Sequence, residues 1–157
     1  MDSRRRDVLR TGGGITLLTL VAAAGWLKPS AAMAQAWNKA AFATKTMDDT
    51  MKALGGGAPA QSKDIAFVAT PDIAENGAVV PIGITSSIPN TSSIAILIEK
   101  NPNMLAAMFE IPAGTDPSIS TRVKMGQTSN VYALVKADGK YYVASKEIKV
   151  TLGGCGG

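Results

Sequence analysis

Short segments of β-forming residues, separated by turn signals, fill the sequence after Pro59 and constrain the fold more than any other feature. The segments are rich in Val, Ile, Thr and Tyr, and turns such as Glu75-Asn76-Gly77 and Asn101-Pro102 interrupt them. Many short strands at close spacing are typical of a β-sandwich. The sequence therefore predicts an all-β fold with strands at residues 65–70, 79–85, 93–99, 106–111, 118–124, 131–136 and 141–151.

Four details refine the predicted sheets. Apolar and polar residues alternate along residues 118–124 and 147–152, so these strands should face the core on one side only. Asp138-Gly139 predicts a tight hairpin turn between the last two strands. Pro81 cannot donate a hydrogen bond to a neighbouring strand, which predicts an edge position or a bulge. The apolar run at residues 94–98 is either buried between sheets or shared with a partner.

One helix is predicted before the strands. Asn38 is a suitable capping residue, and apolar side chains follow at helical spacing as far as Leu54, which predicts about four turns. Gly55-Gly56-Gly57 and Pro59 should end the helix. A phosphate-binding loop would need a Gly-Lys-Ser or Gly-Lys-Thr sequence that opens a helix, whereas these glycines follow one. No nucleotide site is therefore expected.

Length and charge limit the possible partners. A chain of 157 residues with a formal net charge of +4 fits one domain. Residues 1–34 contain five basic and two acidic residues, which leaves 11 basic against 10 acidic residues in the remainder. A nucleic-acid-binding domain would be expected to carry a clustered basic stripe with aromatic residues, and the scattered lysines here do not form one. We expect no nucleic-acid partner.

The first 34 residues have the order of regions found in an export signal. Arg5 and Arg6 precede an apolar run at residues 15–27, and small residues lead to Ala34. The arginine pair resembles a twin-arginine leader, and the run is shorter than the ~20 residues that span a bilayer. We therefore expect a signal peptide at residues 1–34, cleavage between Ala34 and Gln35, and a periplasmic protein that is not anchored in the membrane.

Cys155 is the only cysteine, and it lies between Gly153-Gly154 and Gly156-Gly157. Glycine has the greatest backbone freedom of any residue, so the thiol should be mobile and sterically bare, able to enter another protein's pocket. The sequence has no histidine and no acidic pair at a recognisable spacing, so acid–base catalysis and ordinary zinc binding lack their usual groups. We expect no catalytic residue, metal or cofactor in this chain.

The Gly-Gly-Cys-Gly-Gly segment at residues 153–157 resembles the hallmark of the SoxY family, the sulfur carriers of bacterial thiosulfate oxidation. The similarity covers nearly the whole chain; besides the leader and the helix, it includes residues 101–102, Phe109, Gly114, residues 122–125, residues 138–140 and residues 146–150. It implies an immunoglobulin-like domain, paired with a second small β-protein, SoxZ, and a swinging arm on which Cys155 holds sulfur intermediates covalently.

The same resemblance implies which proteins would act on the arm. A c-type cytochrome, SoxAX, would couple thiosulfate to Cys155, a manganese hydrolase, SoxB, would release sulfate, and a sulfur dehydrogenase, SoxCD, would oxidise the remaining sulfur where it is present. The carrier would then be a substrate for these enzymes and not an enzyme.

Two other roles for Cys155 are compatible with its residue type. An interaction protein would use it for an intermolecular disulfide, since no second cysteine is available within the chain. A thiol enzyme would need a second cysteine or an activating histidine, and the sequence contains neither. The disulfide-linked protein is the main alternative to the carrier.

Overall fold

The computed structural model describes residues 38–152. It contains two short helices, α1 (Lys39–Phe42) and α2 (Met47–Ala53), and a series of strands. The strands are β1 (Ala60–Gln61), β2 (Ile65–Val68), β3 (Ile73–Ala74), β4 (Val80–Ser86), β5 (Thr91–Ile98), β6 (Leu105–Glu110), β7 (Ser118–Val123), β8 (Ser129–Ala137) and β9 (Lys140–Val150).

The strands form two sheets that pack face to face. The larger sheet has the order β1-β9-β8-β5-β6, with β3 also paired to β9, and the smaller sheet has the order β2-β4-β7. The seven predicted strands are all present, each within about two residues of its expected bounds. β1 and β3 are two further strands of two residues each, which were not predicted. The predicted all-β, immunoglobulin-like sandwich is confirmed.

The helices add a third layer on the outer face of the larger sheet. Ile94, Ile96 and Ile98 of β5 point into the core between the sheets, whereas Ala95 and Leu97 point to the helix side and are equally buried. Successive side chains of a strand face opposite ways, so a strand covered on both faces reads as a continuous apolar run. The apolar run at residues 94–98 is therefore core.

The predicted four-turn helix is broken into α1 and α2, which corrects the expectation of one continuous helix. Thr44 Oγ1 donates to the Ala41 carbonyl at 2.6 Å, and the Thr46 side chain caps α2 by accepting from the Asp49 N–H. Threonine side chains compete in this way for backbone groups. The break frees the Thr44 carbonyl to accept the Met104 N–H at 2.8 Å, which ties the helices to the sheet.

The glycines after α2 end the helix as predicted. Gly55 has a φ of +71°, the Gly55 N–H bonds to the Lys52 carbonyl and the Gly56 N–H bonds to the Met51 carbonyl. This pair of bonds is a Schellman motif, which needs a left-handed residue that glycine supplies without strain. The Tyr141 hydroxyl donates to the Leu54 carbonyl at 3.1 Å, so the helix end is fixed to β9.

Pro81 lies in the central strand of the smaller sheet, and not at the predicted edge position or bulge, and the pairing explains why it is tolerated. Along β4, only residues 83–85 have β2 on one side and β7 on the other. Pro81 pairs with Arg122 of β7 and lies beyond the last residue of β2 that pairs with β4. Its missing N–H therefore costs no bond to β2.

The predicted turn and the alternation along β7 are confirmed, whereas the alternation predicted for residues 147–152 is wrong at its end, because β9 stops at Val150 and Leu152 is exposed. Asp138 and Gly139 have φ values of +48° and +73°, as the tight turn between β8 and β9 requires. Ile119, Thr121 and Val123 are less exposed than their neighbours along β7, and Ile148 is buried between exposed residues of β9. Within residues 38–152, no helix is long and apolar enough to cross a membrane.

Candidate functional site

The last strand extends past its neighbour in the larger sheet. Pairing between β8 and β9 runs from the turn to Ser129, which lies opposite Ile148. Lys149 and Val150 lie beyond the start of β8 and pair on their other side with Ile73 and Ala74 of β3. The chain therefore leaves the larger sheet beside β3, just before the segment that carries Cys155.

A short segment, residues 72–77, holds the end of β9, and we call it the clamp. The Lys149 N–H bonds to the Asp72 carbonyl at 2.9 Å, and the Thr151 N–H bonds to the Ala74 carbonyl at 3.1 Å. The clamp also takes the next residue, because Gly77 donates its N–H to the Leu152 carbonyl at 2.9 Å.

Two side-chain hydroxyls complete these contacts. Thr151 Oγ1 donates to the Glu75 carbonyl at 3.0 Å, and Thr128 Oγ1 accepts the Val150 N–H at 2.9 Å. The hydrogen bonds of the last strand thus continue for four residues past Ile148, the last residue that pairs with β8.

The clamp is itself tied to the sandwich at both ends. The Lys146 ammonium donates to the Thr70 carbonyl at 2.6 Å and pairs with the Asp72 carboxylate at 3.0 Å. At the other end, the Gly77 carbonyl accepts the N–H of Met125, whose side chain is fully buried in the core. Gly77 therefore links Leu152 to the core in two hydrogen bonds.

Large apolar side chains are exposed around this point. Ile73, Val79 and Leu152 are 57%, 54% and 68% exposed, and Val68 of β2 is also exposed. Ile73 belongs to the clamp, Val79 follows it by two residues, and Leu152 is bonded to it. Exposed apolar side chains near one segment are candidates for contact with another protein.

No three His, Cys, Asp or Glu side chains between residues 38 and 152 are grouped to hold a metal ion. Burial, and then the negative charge of Glu99, raise the pKa of the Tyr132 hydroxyl, and a hydrogen bond with Asn130 opposes this effect. Tyr132 packs against the apolar cluster between the larger sheet and the helices.

A cavity of about 450 Å³ lies at the other end of the sandwich, between the β4–β5 and β6–β7 loops. Serine, threonine and proline dominate its lining, and no ionisable side chain lines it. β4 ends and β9 begins at this end of the sandwich, whereas β4 begins and β9 ends near the clamp. The cavity is therefore remote from the clamp.

The residues singled out from the sequence lie outside the described part of the chain. These are Cys155, its flanking glycines Gly153, Gly154, Gly156 and Gly157, and Arg5, Arg6, Ala34 and Gln35 of the export signal. The structure describes instead the point from which the Cys155 segment departs. The clamp was not predicted from the sequence, because residues 75–77 indicate only a turn.

The described fold is an immunoglobulin-like sandwich domain, and large apolar side chains are exposed near the end of its last strand. The family of sulfur oxidation protein SoxY matches residues 50–155. The chain belongs to the SoxY family.

One solved structure of a SoxY protein agrees with this assignment, and a second solved structure shows a weaker similarity. The sulfur carrier protein SoxY from Chlorobium limicola f thiosulfatophilum is 38% identical, with a TM-score of 0.60, and the match covers 67% of this chain and 96% of that one. A superoxide reductase from Ignicoccus hospitalis is 18% identical, with a TM-score of 0.48, and the match covers 66% of this chain and 91% of that one. The comparison with curated proteins gave no significant match.

Proposed function

We propose that this protein is a periplasmic covalent sulfur carrier in the oxidation of thiosulfate and related reduced sulfur compounds. The single observation that carries the proposal is the path of β9: the clamp fixes the chain as far as Leu152, and Cys155 follows three residues later. Membership of the SoxY family supports the sulfur chemistry. The leader with Arg5 and Arg6 supports export by the twin-arginine pathway, with Gln35 as the first residue after cleavage.

Cys155 would hold each intermediate as a thioconjugate. Oxidative coupling of its thiolate to thiosulfate releases two electrons and forms a Cys–S–S–SO₃⁻ group. Hydrolysis of that group by one water releases sulfate and two protons and leaves a Cys–S–S⁻ persulfide. The carrier supplies only the sulfur atom that is modified. The docking enzymes would supply the electron acceptor, the metal ion and the general base.

Those enzymes are proposed from the family: SoxAX for coupling, SoxB for sulfate release and SoxCD for oxidation of the persulfide. SoxZ would be the permanent partner in a heterodimer. Gly153, Gly154, Gly156 and Gly157 would form the swinging arm, since residues without side chains can enter a narrow channel.

The apolar surface beside the clamp fits the need for such docking. Cys155 lies three residues after Leu152, and three residues span at most about 10 Å when extended. An enzyme that takes the thiol into its active site must therefore contact the surface around Leu152. Ile73, Val79 and Leu152 expose their apolar side chains in that region. We propose that they contact the rim of the enzyme's active-site entrance.

Mass spectrometry of the protein from cells grown on thiosulfate tests this function. A carrier gives monomers with added sulfur or sulfonate groups on Cys155, and reductant removes them. The alternative, an interaction protein joined through Cys155, gives only a disulfide-linked dimer that reductant converts to unmodified monomer.

A further inference from the structure

The larger sheet ends at β6, and the outer edge of this strand has no partner strand among the described residues. The Ile111 N–H bonds to the Ser92 carbonyl of β5 at 2.9 Å, which fixes the bonding pattern of the β5–β6 ladder. Bonded and non-bonded residues alternate along an antiparallel pair. Phe109 therefore bonds to β5, whereas Met108 and Glu110 direct their N–H and C=O groups away from it. No described residue bonds to these outward groups.

The free edge of β6 is apolar on both faces of the sheet. Met108 is half-buried against the helices, and Phe109 is half-buried against the core between the sheets. Ala106 is exposed, and the only charged residue of β6 is Glu110 at its end. Both apolar layers thus reach this edge without being fully covered there.

β6 also lacks most of the features by which proteins protect a free edge. Such edges usually carry lysine, proline or a bulge. β6 contains no lysine or proline, its register shift lies before Ala107, and residues 107–110 pair regularly with β5. β7, an edge strand of the smaller sheet, is different, because its outward-directed residues Ser120 and Arg122 have exposed polar side chains. β6 is therefore the free edge better suited to pairing.

We propose that β6 pairs with an extended strand of a second β-protein, so that the larger sheet continues into the partner. The proposal rests on the proposed function, which gives the carrier a permanent β-protein partner. A free row of N–H and C=O groups selects an extended backbone, as in β-strand addition. The added strand would bond to the outward groups of Met108 and Glu110, and it would cover the half-buried side chains of Met108 and Phe109 on the two faces of the sheet.

Pairing at β6 leaves the departure point of the Cys155 segment accessible. β5 and β8 separate β6 from β9, so β6 and β9 are three strand spacings, or about 14 Å, apart. The clamp lies on the far side of β9, where β3 pairs with it. A permanent partner on β6 and an enzyme docked beside the clamp would therefore occupy opposite edges of the larger sheet.

Hydrogen exchange of the mature full-length protein, alone and with purified SoxZ, tests the pairing. The amides of Met108 and Glu110 should exchange fast in the protein alone and gain at least about ten-fold in protection in the complex, because they enter hydrogen bonds there. The Phe109 amide should be protected in both samples, and the Ser120 amide should stay fast in both. A complex in which the Met108 and Glu110 amides stay fast would overturn the proposal.

Substitutions test the same bonds through affinity. Glu110→Pro removes an outward N–H that bonds to no described residue, so the fold should tolerate it, and the affinity for SoxZ should fall about ten-fold. Glu110→Gln keeps the N–H, and Ser120→Pro removes the equivalent group from β7, so both should stay within about two-fold of the wild type. Equal affinities of Glu110→Pro and Glu110→Gln would overturn the proposal. If Glu110→Pro does not fold, exchange in the wild type decides.

The pairing and the carrier function can fail separately. Sulfur groups on Cys155 in a protein that forms no complex with SoxZ would overturn the pairing and leave the carrier function standing. Protection of the Met108 amide in a homodimer without SoxZ would also overturn the pairing, since a second copy would then occupy the edge. Protection by SoxZ in a protein that never carries sulfur would support the pairing, while the carrier function fails.

Discussion

The backbone N–H of Gly77 donates to the carbonyl of Leu152, and the carbonyl of Gly77 accepts from Met125 in the core. One glycine thus connects the core of the sandwich to the last described residue before the Cys155 segment. In the proposed carrier function, the two sides of this contact have different tasks. The sandwich fixes a point on the protein surface, and the residues after Leu152 carry the thiol. Changes on either side of that point should have different effects.

Bulky residues beside the cysteine should impair processing and leave stability unchanged. Gly154→Leu and Gly156→Leu add side chains where the proposed arm must enter a narrow active site, so we expect at least a ten-fold loss in kcat/KM with the purified enzymes. The melting temperature should be within about 1 °C of the wild type. Gly57→Leu is the control, because a Cβ atom there meets no atom within 4 Å and Gly57 lies far along the chain from the arm. Unchanged kinetics in both arm variants would contradict a steric requirement.

The exposed apolar surface should contribute to docking. Ile73→Ser and Val79→Ser should raise KM for the enzymes several-fold with little change in kcat, because each removes apolar contact area outside the reacting group. Val68→Ser tests how far the surface extends along β2. The measurement is steady-state kinetics with the carrier as the varied substrate. An unchanged KM for both Ile73 and Val79 variants would place docking elsewhere.

Gly83 should be irreplaceable for a packing reason. A Cβ at this position would meet the carbonyl oxygen of Val68, a backbone atom of the paired strand β2 that cannot move freely. The Gly83 N–H and carbonyl also bond to the Thr70 hydroxyl, just before the clamp. We expect Gly83→Ala to lower the free energy of unfolding by about 1–3 kcal/mol. Gly57→Ala, with open space around it, should cost much less; equal costs in urea denaturation would contradict this account.

The sequence predicted the sandwich well because its signals are local. Alternation along residues 118–124, the Asp138-Gly139 turn and the glycines after Leu54 each depend on a few neighbouring residues. The clamp was not predictable in this way. Its bonds join residues more than 70 positions apart through backbone groups, and a two-residue strand such as Ile73–Ala74 has no periodicity.

The helix break and Pro81 were mispredicted for a related reason. The helix does not continue through Thr44, because the carbonyl of Thr44 accepts a hydrogen bond from the distant Met104 N–H. Pro81 is tolerated in a central strand because the pairing of β2 with β4 ends before it. Cys155 itself was identified from its residue type and its glycine neighbours, and that identification stays a prediction.

Stability should fall at high pH in part because of Tyr132. Burial, and then Glu99, raise the pKa of its hydroxyl, so the folded state holds the proton more tightly than the unfolded state does. This stabilisation is present below the unfolded value of about 10 and is lost as pH rises through the folded pKa. Urea denaturation between pH 8 and 11 should show a steeper decline for the wild type than for Tyr132→Phe. Equal slopes would contradict the raised pKa.

The most direct test of the carrier function is the intact mass of the mature protein purified from cells grown on thiosulfate, with and without reductant, beside Cys155→Ala. The account predicts monomers that carry sulfur or sulfonate groups, loss of these groups with reductant, and no added mass in Cys155→Ala. That variant should keep its melting temperature, because the substitution lies beyond Leu152. Added mass that persists in Cys155→Ala, or a wild type found only as bare thiol or disulfide dimer, would contradict the account.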